Sequence, residues 1–385
     1  MRKFRPGRVL RGIALAASVF ALAGCSMFSS DDDRYDPAPL TDYAPGMSVR
    51  TIWSTSVGSG SGYGFVPAVV GDAVYAATPN GSVAKLDLAS GRALWKASAD
   101  TRLSAGVGSD GTTSVVASPL GEVIAFDDTG KVKWKAQASS DVSIPPVVGY
   151  GAVVVRSGDY RIQAFNVETG ERLWSLQRPG PALALHGNAQ MIMAEGLVIT
   201  GLPGGKLLAI NVGSGNVQWE GTVATPRGAS DLERLTDVVG APRVAGNLLC
   251  AVAYQGRIVC FDVTQGGRPL WAKDFSSASG MALDNQFAYA PDQHGVVSAF
   301  ALDSGVNVWK QAALKNRRLT SPAPLGDAIA VGDFDGYVHF LSRSDGSLLA
   351  RLSVGGDAIV SPLQSTPQGV LVQTGNGNIV LIGTN

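Results

Sequence analysis

Little in this chain of 385 residues is equipped for catalysis. It has three cysteines and three histidines, 16% of its residues are charged and 7% are aromatic. His186, His294 and His339 lie far apart, with no pair at metal-ligand spacing. No G-x-S-x-G elbow, Walker sequence or isolated acid pair occurs, so no nucleophile, phosphate loop or acid–base couple suggests itself. The formal charge is zero, but Arg2, Lys3, Arg5, Arg8 and Arg11 stand in the first 24 residues without an acid. That leaves 26 basic against 31 acidic residues beyond them. A mature chain at about −5 lacks the positive excess that meets phosphates, which argues against a nucleic-acid partner.

What the chain does have is glycine, 48 residues of it, and a tryptophan frame. Trp53, Trp95, Trp134, Trp174, Trp219, Trp271 and Trp309 follow one another at gaps of 42, 39, 40, 45, 52 and 38. The last six each have a glycine four residues ahead: Gly91, Gly130, Gly170, Gly215, Gly267 and Gly305. Gly346 opens a seventh phrase with Ala350 in place of Trp. Each unit reads as an apolar strand, a Gly-containing turn, an alternating strand, a polar turn ending in Gly, and a short strand carrying the Trp. An earlier strand, often introduced by proline (Pro67, Pro145, Pro242, Pro322, Pro362), makes four per unit. A period near 40 with four strands is the pattern of a β-propeller blade.

Turns between second and third strands fall near Gly81, Gly121, Asp159, Gly205, Gly256, Gly295, Gly336 and Gly377, which counts eight units. The eighth ends before any Trp strand, and Val49–Val57 is a last strand with no blade of its own. The expectation is an all-β, eight-bladed propeller of four-stranded antiparallel blades over 47–385, closed by the N-terminal strand so that no open edge is left. The tryptophans are expected to be structural, packed between blades. Asp333-Phe334-Asp335-Gly336 is read as a hairpin turn rather than a Ca²⁺ loop, since Val331 precedes it and no acid follows at the required position. No metal or cofactor is expected. Cys250 and Cys260 lie on adjoining strands of one blade and are expected to be buried free thiols.

Met1–Arg11 is basic and Gly12–Gly24 apolar, a secretory signal too short for a permanent membrane span. Leu22-Ala23-Gly24-Cys25 resembles a bacterial lipobox, which implies cleavage after residue 24 and acylation of Cys25. With Ser26 rather than Asp after the Cys, the familiar sorting rule favours the periplasmic side of a Gram-negative outer membrane. Acyl chains there anchor stably. Residues 25–46, rich in Ser, Asp and Pro, read as a flexible tether.

Function is expected where the repeat is broken. From Trp to the next unit's first strand is 11 residues after Trp134, 13 after Trp309 and 14 after Trp53, but about 18 after Trp174 and 23 after Trp219. Equivalent connections emerge on one face of a propeller, so these two should be neighbours. One reads PALALHG (Pro181–Gly187). The other, SDLERLTDVVG (Ser230–Gly240), opens with a capping box, Ser230 and Glu233, for a short helix. Leu183, Leu185, Leu232 and Leu235 could form an apolar centre rimmed by Asp231, Glu233, Arg234 and Asp237, the anatomy of a protein interface.

Two resemblances bear on these features. The phrase A-x-D-x-x-x-G-x-x-x-W is similar to the repeat of quinoprotein alcohol dehydrogenases, but the vicinal Cys pair of that family is missing, because only Cys25, Cys250 and Cys260 are present. The lipobox, WSTSVGSG (53–60), LALHG and DLERLTDV together resemble the BamB family, propeller lipoproteins of the outer-membrane β-barrel assembly (BAM) machinery. That resemblance implies a non-enzymatic scaffold whose two loops bind the periplasmic domains of BamA and which aids nascent outer-membrane proteins. Its partner-binding positions fall on Leu183, Leu185 and Asp237, with His186 at a further one; Arg234 and Leu235, from the loop's own sequence, complete the expected partner-binding residues. His186 replaces a usual Arg and Val239 a usual second Asp. A quinone-dependent dehydrogenase, or a propeller binding a glycan or small ligand in its channel, are the alternatives from other classes.

Overall fold

The computed structural model describes residues 35–181, 183–185, 189–355 and 357–384. The chain divides into Met1–Pro37, of which 35–37 are described, and Ala38–Asn385. The signal segment and Cys25 lie outside the described residues. Among the described residues no helix is long and apolar enough to cross a membrane.

The second unit consists of eight four-stranded antiparallel sheets, each one blade. Blades 1 to 7 span 68–98, 105–137, 147–177, 191–222, 238–274, 282–311 and 323–353. Blade 8 joins Gln364–Thr366, Gly369–Gln373 and Asn378–Thr384 to Val49–Ser56, the N-terminal strand. Val49 pairs with Thr384 and Ser56 with Asn378, so the ring closes as the unpaired last-strand pattern implied. Apolar side chains fill eight slots, one between each pair of neighbouring blades. No single centre holds the core.

The glycine–tryptophan spacing now has a physical cause. In blade 3, Ala164 faces Trp174 while Phe165 faces Arg172, so the outer strand bulges at Leu173, just before the Trp. The bulge turns the indole toward the next blade and leaves Leu173 exposed. Every phrase glycine lies at φ between +67° and +83°, the left-handed region that suits glycine. A Cβ on it would come within 2.3–2.9 Å of the indole of the preceding blade. Trp53 sits on Gly91, Trp95 on Gly130, Trp134 on Gly170, and so on to Trp309 on Gly346. Trp53, Trp134, Trp174, Trp271 and Trp309 also donate Nε1–H to a carbonyl of that next turn, at 2.6–2.9 Å.

Ala350 is the exception because blade 8 has no such turn: its third and fourth strands are the two ends of the chain. Met47 packs into the cluster that contains Ala350, and Gly46 and Met47 donate amides to the Leu349 carbonyl at 2.8 and 3.3 Å. The segment before the closing strand thus occupies the place an indole fills elsewhere.

That segment is bonded to the ring well before residue 47. The Ala38 amide donates to the Lys315 carbonyl at 2.8 Å, and Arg317 and Arg351 donate to the carbonyls of Ala38 and Thr41 at 3.1 and 3.2 Å. Backbone amides and arginine side chains thus attach the polar part of this stretch, and Met47 adds an apolar contact at its end. Arg317 is itself buried and pairs with Asp333 at 2.8 Å and Asp335 at 2.7 Å. Asp333 also bonds His339 Nε2 at 2.8 Å and accepts from the Tyr337 amide, so Asp333–Gly336 is a hairpin turn with its first carboxylate fully engaged. Burial alone would raise the Asp333 pKa, but His339, the Tyr337 amide and Arg317 hold it below the usual range. Burial lowers the His339 pKa against the pull of Asp333, which makes their contact a hydrogen bond rather than an ion pair at neutral pH.

Cys250 and Cys260 are joined by a disulfide, not present as the free thiols expected. The reason is register. The hairpin between Leu248–Ala253 and Arg257–Asp262 places Cys250 directly opposite Cys260, with Cα atoms 4.1 Å apart. Directly opposed residues in an antiparallel pair come close enough to bridge, whereas a register one residue away would have pointed the thiols to opposite faces.

Candidate functional site

A repeated hydrogen bond sets where the connections leave blades 1, 2, 4, 5 and 7. The first amide after an outer strand donates back to the glycine carbonyl of that blade's second turn: Ala99 to Gly81, Ala138 to Gly121, Val223 to Gly205, Phe275 to Gly256 and Val354 to Gly336, at 2.8–3.1 Å. The two longest connections are 178–190 and 223–237, 13 and 15 residues against 6 to 11 elsewhere. They meet, as equal placement on adjacent blades requires. The Leu185 amide of the first donates to the Asp237 carboxylate of the second, and the Gln190 amide donates to the Gly240 carbonyl of the following strand at 3.1 Å.

The first loop leaves blade 3 over Tyr160, whose ring lies so close to Gly180 that no Cβ would fit between them. The Tyr160 hydroxyl donates to the Pro181 carbonyl at 3.3 Å. Beyond this support the chain carries Leu183 and Leu185 to the surface, 39% and 37% exposed. His186 lies outside the described residues.

The second loop realises its capping box in full. The Glu233 amide donates to Ser230 Oγ at 3.2 Å, and the Ser230 amide donates to Glu233 Oε2 at 3.0 Å. The expected helix is nevertheless a single turn, closed by the Arg234 amide on the Ser230 carbonyl at 3.1 Å. It stops there because Leu235 and Thr236 are drawn into the interior and lead into the strand Val238–Ala245. Leu232 projects from the turn, 70% exposed, while Leu235 is 7% exposed and pins the turn from below. Arg234 remains on the surface, paired with Asp231 at 2.6 Å.

Asp237 faces inward, 4% exposed. Its Oδ2 accepts the Leu185 amide at 2.5 Å and its Oδ1 the Gly204 amide at 3.2 Å. Burial raises its pKa, and the two amides and the charge of Arg156 oppose that rise. Arg156 is buried as well and donates from Nη1 to Thr200 Oγ1 at 3.2 Å and to the Gly201 carbonyl. Burial brings its pKa down to about 10, against the pull of Asp237 and Tyr160, so the guanidinium stays charged at neutral pH.

The four expected leucines therefore split into three surface residues, Leu183, Leu185 and Leu232, over a buried Leu235. Of the expected rim, Asp231 and Arg234 remain outside, while Glu233 is spent on the cap and Asp237 points inward. Val239 is part of the core between blades 5 and 6. Sequence reading missed Arg156 and Tyr160, which belong to a different blade from Asp237 and share no local pattern with it. Among the described residues no group of three His, Cys, Asp or Glu side chains is placed to hold a metal ion.

A family model described as outer membrane protein assembly factor BamB matches residues 79–311. The chain is 77% identical to the outer membrane protein assembly factor BamB of Bordetella pertussis, over 100% of both chains. This chain belongs to the BamB family. To the BamB of Burkholderia pseudomallei it is 41% identical, over 95% of this chain and 96% of that one. The crystal structure of BamB from Moraxella catarrhalis superposes with a TM-score of 0.80 at 25% identity, over 87% of this chain and 99% of that one. Quinohemoprotein alcohol dehydrogenase from Comamonas testosteroni superposes with a TM-score of 0.65 at 14% identity, over 91% and 78%. That likeness is one of fold alone, and in this chain the repeat phrase builds the blades.

Proposed function

We propose that this chain is a non-catalytic scaffold of outer-membrane protein assembly, anchored through acylated Cys25 to the periplasmic face of a Gram-negative outer membrane. It docks on the periplasmic domains of BamA through the paired loops and aids folding and insertion of nascent β-barrel proteins. Leu183 and Leu185 supply the apolar contact, with Arg234 on the rim and His186, next in sequence, as a further contact. One observation carries the reading: the two longest connections of the ring are locked together, and leucines stand exposed where a connection is ordinarily polar. An exposed leucine pair on a rigid ring has the character of an interface anchor. With 39% and 37% of Leu183 and Leu185 left to cover, docking gains about 1 kcal/mol at each, and a Glu there adds the cost of desolvating a charge, so either replacement should weaken capture by about tenfold. The test is a pulldown of purified BamA periplasmic domains with Leu183→Glu and Leu185→Glu variants, with thermal unfolding as control for folding. Undiminished capture by both folded variants sinks the interface.

A further inference from the structure

Beneath the two loops lie polar groups drawn from three consecutive blades, Arg156 and Asp237 buried and Tyr160 half-buried. Arg156 ends the second strand of blade 3 and reaches across to Thr200 and Gly201 in the second strand of blade 4. Tyr160, in the next turn of blade 3, stands under Gly180 and Pro181 at the root of the leucine loop. Asp237 closes the connection into blade 5. Its two oxygens divide between the Gly204 amide of blade 4 and the Leu185 amide of the leucine loop. Both acceptors of this carboxylate are turned inward, and the residue is 4% exposed, so nothing docked on the outside of the loops can reach them.

We propose that Asp237 is a positioning residue of the docking surface rather than a contact to the partner: its carboxylate holds the Leu185 backbone and thereby sets how Leu183 and Leu185 stand. A carboxylate suits the task because it accepts from two amide donors at once and donates to neither. Asn fills the same volume but has one acceptor oxygen, so in Asp237→Asn one amide donor must face an NH₂ group.

The inference rests on the docking reading above for its binding arm and is independent of it in the free protein. Amide hydrogen exchange of the full chain without partner, resolved by NMR, reads the hydrogen bonds directly. In Asp237→Asn, exchange at Leu185 or Gly204 should rise about tenfold, the effect expected from losing one hydrogen bond to a charged group. The thermal unfolding of Asp237→Asn should stay that of a folded propeller. Capture of purified BamA periplasmic domains should fall by about tenfold in Asp237→Asn. If Asp237→Asn loses capture while Leu185 and Gly204 exchange as before, Asp237 is a contact residue and the inference is overturned. If exchange rises but capture holds, the Leu183→Glu and Leu185→Glu variants decide. Their loss of capture overturns the positioning role alone, and their retention overturns the docking reading itself.

Discussion

If the phrase glycines are seats for indoles, the cost of filling one must depend on the tryptophan it receives. Blade 3 offers a matched pair. Gly151 and Gly170 both have left-handed backbone, at φ +78° and +75°. Around Gly151 the space is open, whereas a Cβ on Gly170 would lie 2.7 Å from Trp134 Cδ2 and 2.8 Å from its Cε3. Ala at either position carries the left-handed penalty of about 1 kcal/mol. Gly170→Ala must in addition push the buried indole aside, an overpacking cost of about 1–3 kcal/mol. It also strains the Trp134 Nε1 bond to the Val167 carbonyl at 2.9 Å, roughly another 1 kcal/mol. The expectation is therefore about 1 kcal/mol for Gly151→Ala and about 3–5 kcal/mol for Gly170→Ala. Trp134→Ala, which empties the slot, should cost about 3–5 kcal/mol by itself. With the indole gone, Gly170→Ala should fall back to about 1 kcal/mol, a coupling of roughly 2–4 kcal/mol in the double-mutant cycle. Equilibrium urea unfolding followed by far-UV circular dichroism measures all four variants without depending on tryptophan emission. Equal costs for the two glycines, or a Gly170→Ala cost indifferent to Trp134, would refute the seating argument.

Two further outcomes follow from the same structure. The Cys250–Cys260 bridge closes a loop of sequence separation 10, for which chain entropy predicts a contribution of about 2–3 kcal/mol. Urea midpoints with and without reductant should differ accordingly, and coincident curves would contradict it. Burial lowers the His339 pKa in the folded protein, so as pH falls through about 6.5 the unfolded chain takes up its proton first and stability declines toward the lower folded value. His339→Gln should flatten that limb of stability between pH 5 and 7, as read by thermal unfolding. The depressed Asp333 carboxylate contributes above the ordinary aspartate pKa and is lost only as pH falls below it, so the two limbs separate.

The blades were legible because each one repeats the same local requirement. A glycine in the left-handed region and a tryptophan four residues on can be read without knowing the ring, and Ala350 with the solitary Trp53 strand then determines closure. The position of the two long loops was legible for the same reason, as a departure in spacing. Three things were not. Cys250 and Cys260 turned on a register of one residue about the turn near Gln255, which spacing alone leaves open. The capping box at Ser230 signalled a helix start, but how far the helix runs was decided by the burial of Leu235 under the ring. Arg156 and Asp237 are 81 positions apart in sequence and belong together only because three blades are stacked side by side.

Closure by Val49–Ser56 also sets an order of events. Its partner strand is Asn378–Thr384, and Val49 meets Thr384 across more than 300 intervening residues. Seven blades can form from strands adjacent in sequence, each as soon as its own hairpins exist. The eighth has to wait for the far end of the chain, and the entropy of joining such distant ends is met in one step. A chain threaded amino end first through a translocation pore thus delivers its closing strand early and can use it only at the finish. Until then the strand and both flanking slots stay open to other chains. The first strand made is the last one placed.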